Sequence, residues 1–421
     1  MSGKQQKNDV LNLRILSVNK FYYLFGGSER VLFETNLLLK NKGAEIIPFS
    51  MHHPENYKTE YQKYFVKEID YNNLFNWKKK FEAIGRIFYS KEANIKLSRL
   101  IKRFNPEIAH LHLVYHQLPI SIVSVIKNAG IPIVHTLHDY KVLCPVYSFI
   151  SNNTVCERCK TKKFYHVLLH KCNKNSLLFS TLNCLEMYFH YIKRYYQMSD
   201  IYITPSNFMR NKMIEYGWPE SKFVHIPNFI DYKNYPYQRK YKPYIVYVGR
   251  LFEIKGVHTL LHAMNLIKEL KIDLLIIGDG PERIRLEEMK KDLNLSNVQF
   301  LGYLGLKKFS SYVSSCLFSV LPSIVYENCP MTVLESMAMG KAVLGANIGG
   351  IPELINSGID GMLFKPGDAH DLANKIKYLV QNKDLTIQMG QKGRQKIIEQ
   401  YNPDQYFKKL NNVYQSVMRR G

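Results

Sequence analysis

Tyr244-Ile245-Val246-Tyr247-Val248-Gly249-Arg250-Leu251-Phe252-Glu253-Ile254-Lys255-Gly256 sets a short apolar run against a glycine turn and two cations. A run of this length, bounded by glycine, reads as a buried strand, and a helical pattern follows it to about Leu270. Further on, apolar runs at 272–277, 298–301, 316–321, 342–345 and 361–364 alternate with more helical periods. Strands alternating with helices of about ten to fifteen residues predict a parallel sheet wound on both faces. The N-terminal half opens in the same way. Leu13 to Val18 is apolar, and Gly26-Gly27-Ser28-Glu29 then leads into a helix carrying Val31, Leu32 and Leu37 to Leu39. Ser28 is the expected cap of that helix and Gly43 its end. Runs at 44–49, 108–113, 131–136 and 201–205 continue the alternation less cleanly.

The expected fold class is therefore α/β, with two doubly wound Rossmann-like domains facing a cleft. The first covers 1–228 and carries a Cys-, Lys- and Tyr-rich insertion at about 140–198. The second covers 229–402. A final helix within 403–421 follows, and the sequence leaves open whether it returns to the first domain. Sheets of this kind bind ligands beyond the carboxyl ends of their strands, so two facing sheets make a two-substrate architecture.

A chain of 421 residues exceeds one comfortable core, and its 46% hydrophobic content is ordinary for a globular protein. The polar start from Met1 to Asp9 lacks the apolar core of a secretion signal, and no stretch nears the ~18 apolar residues of a membrane span. A cytoplasmic protein is expected. The net charge of +23 is uneven: residues 1–240 hold 35 Lys and Arg against 18 Asp and Glu, whereas 241–421 hold 23 against 17. A basic half suits an anionic lipid surface or a nucleic acid, and solvated lysines account for it equally well.

The richest chemistry lies at 322–352. Glu327 follows an apolar run, Asn328-Cys329-Pro330 begins a helix, and Glu335 lies about two turns inside it. The start of that helix offers backbone donors and partial positive charge to a diphosphate, and a carboxylate beside such a site can accept paired ribose hydroxyls. Two glutamates eight apart also fit a solvated helix face. Gly249-Arg250 and Lys255, placed after the domain's first strand, add a planar fork and a point charge suited to phosphate oxygens. Gly278-Asp279-Gly280-Pro281 adds a tight turn after the next strand.

Taken in order, Val248-Gly249-Arg250 with Lys255-Gly256, Ile277-Gly278-Asp279-Gly280-Pro281, and Glu327 through Glu335-Ser336-Met337-Ala338-Met339-Gly340 with Gly349-Gly350 resemble the family 4 retaining glycosyltransferases of the GT-B fold. The resemblance spans nearly the whole chain and is densest from Val246 to Glu353. It implies a nucleoside-diphosphate sugar as donor, with no catalytic cofactor, and an N-terminal acceptor domain. It also implies that Arg250 and Lys255 hold the diphosphate, Glu335 the ribose and Glu327 the hydroxyls of the donor sugar. Gly26-Gly27 matches the family's glycine loop after the first strand, and His138 is implied to reach the donor sugar, with Asp139 available to orient it. Gly249, Gly278, Gly280 and Asn328 complete the expected donor-binding set. The chain departs from the family at Asn328-Cys329-Pro330, where many members carry a Gly-Phe-Gly run, so one backbone donor to the sugar is missing. The implied mechanism is front-face displacement with retention, driven by positioning and by stabilising the leaving diphosphate. With no Asp-x-Asp in the chain, a catalytic cation at the diphosphate is not expected. The expected acceptor is a saccharide or lipid-linked saccharide of cell-surface polysaccharide synthesis.

Cys144, Cys156, Cys159 and Cys172 cluster in the insertion, and their thiolates could close a structural zinc site. Reduced, partly buried thiols are the plain alternative. Aromatics mixed with cations at 75–103 and 186–196 suit contact with an anionic inner leaflet, hence a peripheral protein on the inner face of the plasma membrane. The competing class, a basic zinc-containing nucleic-acid-binding protein, accounts for charge and cysteines but leaves Arg250, Lys255, Glu327 and Glu335 without a purpose. No nucleic-acid partner is expected.

Overall fold

The computed structural model describes residues 11–69 and 77–419, the side chains of 77–82 excepted. In the first half, strands β1 (Arg14–Val18), β2 (Glu45–Phe49), β3 (Ile108–Leu111) and β4 (Ile133–Thr136) precede a small antiparallel hairpin of β5 (Ile150–Ser151) and β6 (Thr154–Val155). Strands β7 (Ile201–Thr204) and β8 (Phe223–His225) then complete a six-stranded parallel sheet. Its helices are α1 (Gly27–Asn41), α2 (Trp77–Phe88), α3 (Lys91–Phe104), α4 (Ile122–Asn128), α5 (His166–Leu169), α6 (Leu177–Ile192) and α7 (Asn207–Glu215). The second half alternates more strictly. Strands β9 (Tyr244–Val248), β10 (Asp273–Ile277), β11 (Val298–Gly302), β12 (Phe318–Leu321), β13 (Ala342–Ala346) and β14 (Gly361–Phe364) interleave with helices α8 (Val257–Leu266), α9 (Arg283–Asp292), α10 (Leu306–Ser315), α11 (Met331–Ala338) and α12 (Ile351–Leu354). Helices α13 (Ala369–Gln381), α14 (Lys383–Gln400) and α15 (Pro403–Met418) close the chain.

Strand order runs β2-β1-β3-β4-β7-β8 in one sheet and β11-β10-β9-β12-β13-β14 in the other. The winding direction thus reverses between β1 and β3, and again between β9 and β12. These two switch points are where doubly wound sheets leave a crevice for a ligand. Strands such as Ile133–Thr136 and Phe318–Leu321 are buried at every position because helices cover both faces.

Local details depart from expectation in two places. Ser28 does not cap α1: Gly26 takes that position in extended backbone, while the Ser28 hydroxyl donates to Glu29 at 2.9 Å. Pro330 stands just before α11 as its cap residue rather than inside it. At the other end of α1, Gly43 follows the last turn at φ 94°.

Helix α15 crosses back onto the first sheet. Tyr406, Phe407, Leu410, Val413, Tyr414 and Val417 form one buried cluster with Ile15, Ile108, Val134 and Ile201. The Tyr414 hydroxyl meets His110 Nδ1 at 2.7 Å beneath β3. Chain continuity therefore ties the second domain to the first.

The insertion packs into the first domain's core through Val142, Leu143, Phe149, Phe164 and Met187. Its cysteines do not make the expected zinc site. All are free thiols, and among the described residues no three His, Cys, Asp or Glu side chains stand close enough to share a metal ion. Cys172 instead meets Ser151 Oγ at 3.7 Å, and Arg158 reaches Cys156 at the same distance. Burial pushes Cys144 up to about 11, so in this structure it is a thiol.

Replacing Leu410, fully buried beneath the first sheet, by Ala leaves a cavity in that cluster. Leu410→Ala is expected to cost about 2–5 kcal/mol in urea unfolding; a loss below ~1 kcal/mol would show that α15 rests on the sheet without supporting it.

Candidate donor site

The loop after β9 is built by close backbone approach. Gly249 N–H donates to Ile277 O, Leu251 N–H to Asp279 O, and Glu282 N–H to Leu251 O, which laces the turn after β9 to the turn after β10. Gly278 sits at φ +138°, and a Cβ there would fall 1.9 Å from Gly249 O. Only glycine fits. Gly278 and Gly280 thus act on the Gly249–Leu251 backbone, and Asp279 turns back to Gly280 N–H and Arg283.

Arg250 is held by rings, with its guanidinium 4.7 Å from the centre of Phe252 and 5.3 Å from that of Phe25, the latter on the first domain. Its donors stay available to an anion while the stacking fixes its plane. Lys255 lies in a short turn ahead of α8 and reaches Glu327 Oε1 at 2.5 Å; the same oxygen accepts from Ser323 at 2.6 Å. Burial pushes the Glu327 carboxyl up, but the Lys255 ammonium outweighs it and holds the group below the usual carboxylate range. Glu327 is therefore an anion with its partners already in place.

Glu335 projects from α11 with its side chain only 4% exposed. The first domain supplies its counter-ion: Arg30 Nη1, in the first turn of α1, donates to Glu335 Oε1. Tyr235 hydroxyl donates to the same oxygen at 3.4 Å. Burial raises the Glu335 carboxyl and the Arg30 guanidinium opposes that rise. Arg30 is shared, its Nε lying 3.6 Å from Glu34 one turn along. Glu34 is pushed up to about 7, by burial first, with Arg30 pulling it down and Glu335 adding to the rise. Gly27 faces the same helix, since a Cβ on it would come within 3.9 Å of the Met331 side chain. The amino ends of α1 and α11 thus meet across the cleft, two partial positive charges on one volume.

His138 follows β4 and its Nε2 meets His112 Nδ1 at 2.8 Å, with the rings stacked. Burial lowers His138 to about 3, with His135 adding to the shift, so the ring is neutral at ordinary pH. Asp139 does not orient it. Its carboxylate accepts from Tyr115 at 2.8 Å and from Lys141 N–H at 2.9 Å, and His112 is the partner instead. His135 is turned inward, bonding His112 O at 2.9 Å. Asn328 engages the first domain: its amide accepts from Ser206 at 2.6 Å and donates to Leu137 O at 3.2 Å. Gly350 presses on it, since a Cβ there would lie 1.8 Å from Asn328 O. Glu353 also crosses the cleft, its carboxylate accepting from Asn207 N–H at 2.8 Å and from Phe208 N–H at the start of α7. A cavity of about 410 Å³ lies beside this hinge, lined in part by Ser206, Asn328, Gly350 and Glu353, away from the Arg250–Lys255 loop.

Sequence reasoning missed Arg30, Tyr235, Ser323 and His112. The partner of Arg30 lies 305 positions away, which leaves no local signal.

Two parallel sheets with their switch points turned to one cleft, and charged groups of both domains meeting there, define a two-substrate α/β enzyme architecture. The family described as Glycosyltransferase Family 4 matches residues 25–234, and Glycosyl transferases group 1 matches 233–396. The chain belongs to the family 4 glycosyltransferases. It is 26% identical over 238 residues to N-acetyl-alpha-D-glucosaminyl L-malate synthase of Bacillus anthracis, covering 53% of this chain and 61% of that protein. It is also 26% identical over 197 residues to poly(ribitol-phosphate) alpha-N-acetylglucosaminyltransferase of Staphylococcus aureus, covering 45% and 39%. In both cases the matched region is less than two thirds of the relative's length. Among solved structures, Anabaena HepE in complex with UDP and glucose superposes at a TM-score of 0.69 over 96% of this chain and all of that one, at 15% identity. The fold is GT-B. Nothing in these matches supports the nucleic-acid-binding alternative.

Arg30→Met removes the charge that opposes burial of Glu335. Breaking such a pair costs about 3–5 kcal/mol when the surviving charge stays buried. The carboxyl is raised in the fold, so the penalty is full above neutral pH and fades as acid protonates it. Thermal melting of the variant against wild type should show a larger deficit at pH 8 than at pH 5; an equal deficit at both would rule out an ionised Glu335.

Proposed function

We propose that the protein transfers a sugar from a nucleoside-diphosphate sugar to a hydroxyl of a saccharide acceptor, with retention of configuration and without a catalytic metal ion. The acceptor in this reading is a lipid-linked saccharide of cell-surface polysaccharide synthesis, met at the inner face of the plasma membrane. One observation carries the donor assignment: Arg250, Lys255 and the amino ends of α1 and α11 border the cleft that Glu335 and Glu327 also line.

A diphosphate in this volume would meet the Arg250 fork and the Lys255 ammonium, groups that neutralise charge as it develops on a leaving phosphate. Lys255 already holds Glu327, so the sugar's hydroxyls and the phosphate would be read by one coupled pair. Glu335, anchored on one oxygen by Arg30 and Tyr235, suits two adjacent ribose hydroxyls. Neutral His138 can share a hydrogen bond with a sugar hydroxyl but carries no charge to stabilise an anion. With no carboxylate assigned as nucleophile, the acceptor hydroxyl would enter on the face the leaving phosphate vacates, and that phosphate can take its proton. The names of relatives support the wider setting. The Staphylococcus aureus relative acts on poly(ribitol-phosphate), a polymer whose repeat carries phosphate. The Anabaena neighbour holds UDP and glucose.

The test is thermal shift against a panel of sugar nucleotides in the presence of EDTA. The right donor at about 100 times its Kd should add ~2.7 kcal/mol of stability by mass action. Lys255→Ala and Glu335→Ala should each lose that gain, while Cys159→Ser lowers the melting temperature and spares turnover. Donor stabilisation in either of the first two variants equal to wild type would refute the site. Retention is read from the anomeric proton coupling of the product.

A further inference from the structure

The aromatic residues at 186–196, expected to face a membrane, face the core instead. His190 and Tyr196 are fully buried, Tyr195 nearly so, and Phe189 packs edge-on to Phe88 of α2 at 5.5 Å. The opposite face of α6 is the apolar one. Leu178 is 66% exposed, Leu185 52% and Ile192 78%. Spaced by seven, they fall on one stripe of the helix, about 21 Å long at ~1.5 Å per residue. Leu177 and Phe179 widen the stripe at its amino end, and exposed Leu169 lies on α5, which packs beside it.

The chain segment that carries this stripe is strongly basic. Between 158 and 199 the chain has a single acidic residue, Glu186, which is buried and paired with Lys141 at 2.7 Å. Lys162, Lys163, Lys171, Lys174, Lys193 and Arg194 are all exposed, and among the described residues none forms an ion pair with a carboxylate. Lys171 and Lys174 precede the helix, while Lys193 and Arg194 follow it, so cations bracket the apolar stripe at both ends.

We infer that the outer face of α6 is a bilayer-insertion surface, with Leu178, Leu185 and Ile192 entering the acyl region and the bracketing cations engaging anionic headgroups. An exposed apolar face costs free energy in water unless something covers it. A second copy of the chain is the poorer cover, since two such faces would bring unpaired cations together with no acid between them. An anionic leaflet satisfies both features at once: acyl chains accept the side chains, and headgroups neutralise the ring. The surface belongs to the insertion of the acceptor-side domain. The enzyme would therefore lie with that domain on the membrane and the nucleotide-binding domain away from it. The inference rests on the membrane-facing enzyme proposed above and supplies its contact surface.

The full-length protein is floated with vesicles of phosphatidylcholine alone and of phosphatidylcholine with phosphatidylglycerol. Wild type should rise with the anionic vesicles and stay down with the neutral ones. The triple variant Leu178→Asn, Leu185→Asn, Ile192→Asn should lose at least about tenfold in vesicle affinity with its melting temperature unchanged, because all three positions are already in solvent. Changing Lys171, Lys174, Lys193 and Arg194 to Gln should abolish the preference for phosphatidylglycerol. Wild type that ignores both vesicle types overturns the inference, as does a triple variant that binds like wild type. So does a wild-type dimer, seen by sedimentation, that the triple change dissolves without altering flotation. Donor-induced stabilisation, read on the same samples, belongs to the transfer reaction and stands or falls separately.

Discussion

The Arg30 guanidinium crosses the cleft to a carboxylate buried in the opposite domain. Arg30 belongs to the first turn of the first domain's first helix, and Glu335 to the second turn of α11 in the other domain. Glu335 is buried far enough that its charge needs a partner, and the partner comes from the opposite sheet. Without the first domain the carboxylate would protonate or hydrate. The pair therefore couples cleft closure to the state of the residue assigned to the ribose. Glu353 on the α7 amino end and Asn328 between Ser206 and Leu137 act in the same sense at the hinge. Closure is held by these hydrogen-bonded groups together with apolar contacts: Val31 of α1 is buried in the second domain's core, and Tyr326 packs against Phe149 and Phe208 of the first. Such an interface can open for substrate without unfolding either domain.

The second domain's site is rigid by comparison. Its glycines let the turns after β9 and β10 touch, so Arg250 and Lys255 leave a scaffold that a single methyl group would disrupt at Gly278. The cations differ in how they are held. Arg250 lies between aromatic faces with its donors unspent, whereas Lys255 is already engaged by Glu327. A diphosphate would find one cation ready and would have to share the other.

The fold could be read in the sequence because both sheets are parallel and covered on both faces, which leaves continuous apolar strands separated by glycine turns. Tyr244–Val248 and Phe318–Leu321 announce themselves this way. The candidate site was readable wherever a motif is local: Gly249 with Arg250 and Lys255, and Glu327 with Glu335. It was not readable where function depends on topology. Nothing near Arg30 signals a carboxylate in the other domain, and Asp139 beside His138 suggests a pair that the turn after β4 does not form. The cysteines misled for a related reason. Spacing suggests ligands, but only side-chain convergence makes a site, and these thiols settle among apolar neighbours and a serine hydroxyl. On α6, the mixture of aromatics and lysines did not reveal that His190, Tyr195 and Tyr196 are buried, because composition does not say which side packs.

The most direct measurement is a crystal structure of the protein with its nucleotide sugar bound. The diphosphate is predicted to lie between Arg250, Lys255 and the amino end of α11, with the ribose hydroxyls on Glu335 while Arg30 still contacts that carboxylate. A nucleotide bound elsewhere, with Arg250 and Glu335 on no common pocket, would contradict the account.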